Sequence, residues 1–151
     1  MEHNNVKQYI ILRRDAKTVT GEPVSAQKLA VMTSHASMAF IASMIRKAHT
    51  EVEGKHHIEF DMEDELYSGW LTNSFTKVLL SAKNLNDLKK AIARAEVLGL
   101  KEGEDFFLIK DNCWTELVPD EGEETCFIAI GFKPMDADKI KDVTKKYQLY
   151  K

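Results

Sequence analysis

The stretch TCFIAIG, Thr125 to Gly131, carries no polar residue between its first threonine and its closing glycine. A strand with one wet face alternates apolar and polar side chains, whereas an unbroken apolar run must be covered on both faces. The chain therefore needs a sheet with a layer on either side, and two segments are suited to supply the layers. In NLNDLKKAIARAEVLGL, Leu85, Leu88, Ile92, Ala95 and Leu98 recur at helical spacing, Asn84 or Asn86 can cap the start, and Gly99 ends it. The second segment runs from a Ser25 cap to about Ala48 and is apolar on several sides, with many alanines suited to close packing on a sheet.

The remaining strand-like runs are Val6 to Arg13, Phe75 to Ser81 and Phe106 to Lys110. The expected fold class is α/β: one domain over residues 1–151, with a small four-stranded mixed β-sheet and helices packed on both faces. MDADKIKDVTKKY predicts a final short helix capped by Asp136 or Asp138, and MEDELYSGWL a short helix turning Leu66, Trp70 and Met62 inward. It lies in a highly charged stretch, His49 to Asn73, broken by Gly54 and Gly69. A chain of 151 residues can bury its core without metal or disulfide support.

The formal net charge of −3 supplies no global basic field, so nucleic-acid binding would need a local patch. Cys113 and Cys126 stand in no metal-type spacing, and free thiols in a reducing compartment are expected. With no signal-like start and no run read as membrane-spanning, a cytoplasmic protein without membrane attachment is the expectation. His49, His56 and His57 match no metal motif, and no metal or cofactor is expected.

Lys28 is the odd residue of the first helix. With Ser25 as cap it lies in the first turn, where free N–H groups and the macrodipole disfavour a cation by about 0.3–1 kcal/mol. It is either a surface lysine snorkelling at a helix end or part of an anion site. Lys28, Met32 and His35 share a stripe. A histidine in such a helix is more often a packed core residue than a functional one.

Several segments in order resemble one family. QKLAVMTSHA is similar to the G-K-x-A-A-Q-x-x-H-A segment of type-2 peptidyl-tRNA hydrolases, and KVLLSAKNLNDLKKAIARAEVLGL to that family's strand and helix ending in L-G-L. IKDNCWTEL resembles its D-A-G-x-T-x loop, TCFIAIGF its T-x-x-A-I-G-P, and DKIKDVTKKYQLY its closing D-x-I-D-x-V-T-G-x-L-K-L-Y. The resemblance covers nearly everything except His49 to Asn73, read as a longer charged insertion at about 49–74.

The resemblance implies a metal-independent, usually homodimeric hydrolase. It would cleave the ester between a peptide, or an N-blocked amino acid, and the 3′-terminal ribose of tRNA. By match, Lys28, Asp111 and Thr115 become the catalytic residues. Asp111 alone would read as a turn residue leaving a strand. The family threonine of the last strand falls on Thr125 or Cys126, only one of which can point into the site. Trp114 is either a packing indole or a stacking surface for a terminal adenine. Arg13, Arg14 and Lys17 lead towards the Lys28 turn and are the candidate contacts to the tRNA backbone. Gln27, Met32 and Cys113 depart from the family pattern. They motivate the alternative of a catalytically degenerate RNA- or protein-binding module.

Overall fold

A computed structural model describes residues 5–151. Its spine is β1 (Val6–Arg13), buried at every position but one. The sheet order is β5 (Phe106–Asp111), β6 (Cys126–Phe132), β1, β4 (Lys77–Ala82), β8 (Gln148–Leu149), with β7 (Met135–Asp136) also pairing with β1. β1 runs parallel to β4 and antiparallel to β6 and β7, so the sheet is mixed. It has six strands where four were expected. The four long strands are the expected ones, and β7 and β8 are two-residue segments too short to leave a hydrophobic pattern.

Helix α1 (Ala26–Lys47) starts at Ser25, whose Oγ accepts the backbone N–H of Lys28 at 3.1 Å. It buries Met32, Ala36 and Phe40 on one face of the sheet. The approach is close because Gly131 lies beneath Ala36, and a Cβ there would collide with the Ala36 carbonyl. On the other face α3 (Leu85–Val97), capped by Asn84, buries Leu88, Ala91 and Ala95. The all-apolar β6 is thus buried along its whole length, as a strand between two helical layers must be.

Three local readings are corrected. By length and composition α1 is apolar enough to cross a membrane, contrary to the reading that no run approaches a span; in the fold one face of it packs on the sheet. The closing segment is not one helix from its aspartates. Asp136 belongs to β7 and accepts the N–H of Asp138, and α4 (Lys141–Thr144) begins after Ile140 without a side-chain cap. The charged stretch holds a hairpin, β2 (His49–Val52) with β3 (Lys55–Ile58). Its turn is Glu53-Gly54, both residues at positive φ, the geometry that suits two-residue hairpins. After it, α2 (Asp64–Leu66) runs into a π-helical turn, Tyr67–Ser74, that buries Leu66 and Trp70 against Phe40 with Met62 partly buried.

Candidate active site

The N-terminus of α1 and the loop after β5 meet at one end of the sheet. Lys28 Nζ donates to Asp111 Oδ1 at 3.1 Å, with side-chain exposures of 17% and 6%. Asp111 ends β5, and its Oδ2 accepts the N–H of Cys113 at 3.0 Å. The turn reading and the site reading of Asp111 therefore hold together: one oxygen shapes the loop and the other meets the ammonium. No acidic residue of α1 itself lies in its first turn, so the negative charge there comes from outside the helix.

Glu116 supplies the rest. Its Oε2 accepts the Ser25 N–H at 2.6 Å and its Oε1 the Ser25 hydroxyl at 2.7 Å. These bonds hold the Glu116 carboxyl below its ordinary range, with a smaller contribution from Lys28. The same two loops are joined by Val19 N–H to Glu116 O at 2.9 Å, Val118 N–H to Lys17 O at 2.8 Å, and a bridge between Thr18 and Leu117. Glu116 gave no sequence signal, because its partner lies 91 residues away and carries no motif of its own. A cleft of about 440 Å³ opens here, lined by Gln27, Lys28, Val31, Thr115 and Glu116. Asp111 lies beneath Lys28 and does not line the cleft.

Cys113 adopts φ +64°, a left-handed backbone that favours glycine. The resemblance puts a glycine of D-A-G at this position, so that departure places a side chain on strained backbone beside Asp111. The register of β6 separates the two candidate residues at its start. Cys126 pairs with Asp111 and packs with Met32, Ala36 and Ile128 on the α1 face. Thr125 instead lines a separate cavity with Leu85, Ile92 and Phe127 on the α3 side. Burial, then Asp120, push the Cys126 thiol up to about 12.

Arg13 is not a surface contact. It is buried, with Nε 2.7 Å from Asp15 and Nη1 2.7 Å from Asp120 and 3.1 Å from the Phe127 carbonyl. Its guanidinium is committed to the protein, which corrects its assignment to the tRNA backbone. Asp120, a residue the motifs did not single out, also accepts the Phe127 N–H at 2.8 Å. Arg14 is exposed, its guanidinium 4.9 Å from the Tyr150 ring centroid, and Lys17 is exposed. His35 is also exposed, neither a packed core histidine nor part of the cleft. Trp114 is 85% exposed, so it is not a packing indole. Among the described residues, no three His, Cys, Asp or Glu side chains gather as metal ligands do.

A partly buried ion pair between a helix N-terminus and a strand end, beside an open cleft, defines a polar site on an α/β sheet. The family model of Peptidyl-tRNA hydrolase PTH2 matches residues 6–150. The chain belongs to that hydrolase family. A search of curated proteins finds no match.

Proposed function

We propose that the protein hydrolyses the ester joining a peptide, or an N-blocked amino acid, to the 3′-terminal ribose of tRNA. The observation that carries this reading is the Lys28–Asp111 pair at the edge of the cleft. An ammonium has three N–H donors, and Asp111 engages one of them. The others are free to stabilise the oxyanion that forms when water adds to the ester carbonyl, while Asp111 fixes the ammonium's direction. As the tetrahedral intermediate collapses, the bond from carbon to the ribose oxygen breaks and that oxygen takes up the proton given up by the attacking water. Thr115, exposed beside Lys28, offers a hydroxyl to the same intermediate.

The two carboxylates around the α1 terminus, Asp111 and Glu116, favour an oxyanion role for Lys28 over a phosphate-binding one. The tRNA backbone is met instead by Arg14 and Lys17, and the exposed indole of Trp114 stacks on the terminal adenine. Cys126, facing the α1 layer behind Asp111, supports the site from within, and Thr125 takes no part. The enzyme works without metal or cofactor, in the cytoplasm, as a homodimer over a single domain whose 49–74 segment is an insertion.

The test is release of the acyl group from N-acetyl-aminoacyl-tRNA in chelator, with Lys28→Ala and Asp111→Asn as controls of unchanged fold. A second reading is a binding module without turnover, favoured by the strained Cys113 where the family pattern has glycine. It predicts salt-sensitive tRNA binding with no acyl release in the same assay.

A further inference from the structure

The cleft at the start of α1 is lined by two charged side chains, Lys28 and Glu116, among the neutral Gln27, Val31 and Thr115. The positive one is already balanced, because Lys28 Nζ lies 3.1 Å from Asp111, which sits outside the cleft lining. The negative one is not. Glu116 accepts from the N–H and the hydroxyl of Ser25, and among the described residues it forms no ion pair. Those two bonds leave about half of a carboxylate's four lone-pair sites unused. They also favour its ionised form, so Glu116 is an anion at neutral pH. It is thus an acceptor held in place by one neighbour, with capacity for a second, in the space where the ester would lie.

We propose that Glu116 binds the α-ammonium of the scissile residue, so that aminoacyl-tRNA with an unblocked amine is a substrate alongside the N-blocked esters. The inference rests on the esterase reading above and widens its substrate class. In an α-aminoacyl ester the nitrogen is attached to the carbon next to the carbonyl. An acyl group with its carbonyl oxygen on Lys28 therefore carries its nitrogen roughly 3 Å from that oxygen, inside the same cleft. Two lining groups of opposite sign, Lys28 for the oxygen and Glu116 for the nitrogen, match the two polar ends of that acyl group. A peptide's amide N–H can donate to the same carboxylate, but a hydrogen bond with both partners charged is the stronger one. The bond cleaved is unchanged. Water adds to the carbonyl, the carbon–oxygen bond to the ribose breaks, the ribose oxygen takes the water's proton, and free amino acid leaves.

The experiment measures kcat/KM for phenylalanyl-tRNA, phenyllactyl-tRNA and N-acetyl-phenylalanyl-tRNA, each divided by its spontaneous hydrolysis rate. Phenyllactyl-tRNA has a hydroxyl in place of the ammonium and is otherwise the same ester. The expected wild-type value for phenylalanyl-tRNA is roughly tenfold above that for phenyllactyl-tRNA. Glu116→Gln slows every substrate and brings that ratio to about one. Ser25→Ala, which loosens the clasp but keeps the carboxylate, slows hydrolysis and retains the ratio. Equal wild-type values for the two, with N-acetyl-phenylalanyl-tRNA hydrolysed, overturn the ammonium site alone. So does a preference that survives Glu116→Gln, since another group then reads the nitrogen. No hydrolysis of any of these substrates by the wild type defeats the esterase reading and the ammonium site with it.

Discussion

Lys28 and Asp111 lie 83 residues apart in the chain and 3.1 Å apart in space, one in the first turn of α1 and the other at the end of β5. The pair resolves why a helix tolerates a cation where its own dipole disfavours one. The opposing charge is supplied across the fold by Asp111, and Glu116 clasps the capping serine from the same loop. The anion Lys28 meets is therefore internal to the protein, while Lys28 itself lines the cleft.

Glu116→Gln is expected to loosen this end of α1. The folded state holds the Glu116 carboxyl below its ordinary 4.5. A depressed acid contributes stability above its unfolded value and loses it as pH falls through the folded value. In wild type the clasp thus weakens on acidification below about 4.5. Acid titration of the helical signal should show a smaller fall for Glu116→Gln, and acyl release at neutral pH should drop roughly tenfold as Lys28 loses its frame.

Arg13 and Arg14 are neighbours in the chain with opposite fates. Arg13→Ala leaves Asp120 buried without its cation, and the expected loss is about 3–5 kcal/mol in denaturant unfolding. Arg14→Ala and Lys17→Ala should leave stability within about 0.5 kcal/mol. Each should instead reduce the slope of log affinity for tRNA against log salt by about one.

Gly131→Ala tests how closely α1 lies on β6. The added Cβ meets the Ala36 backbone, which cannot move without shifting the helix. A loss of about 3 kcal/mol is expected, read by thermal or denaturant unfolding.

The two cysteines should behave differently. Cys126 is buried with its thiol pushed up to about 12, so it should resist alkylation until the protein unfolds. Because the folded value lies above the unfolded one, its contribution is complete below pH 9.0 and lost as pH rises towards about 12. Cys126→Ala should flatten that loss. Cys113→Gly relieves a left-handed side-chain position, so stability should change by no more than about 1 kcal/mol and acyl release should persist.

Much of the fold was legible because it rests on local signals. The Ser25 and Asn84 caps, the helical spacing of α3 and the uninterrupted TCFIAIG run each announce their element from neighbouring residues. The hairpin at His49–Ile58 was missed because both strands are exposed throughout, so no core face patterns them. Strands β7 and β8 exist through pairing alone. At the site, motif resemblance singles out Lys28 and Asp111, and the fold brings the two side chains into contact. Arg13 was misplaced because its partner Asp120 is 107 residues away, and such a contact leaves no local trace. Glu116 escaped notice for the same reason.

The most direct measurement is acyl release from N-acetyl-aminoacyl-tRNA by wild type, Lys28→Ala and Asp111→Asn at matched folded concentration. Removing the ammonium should lower kcat by about 10²–10³, and removing the Asp111 charge that aims it by about 10². Turnover unchanged in both variants, with circular dichroism showing an intact fold, would contradict the role given to this pair.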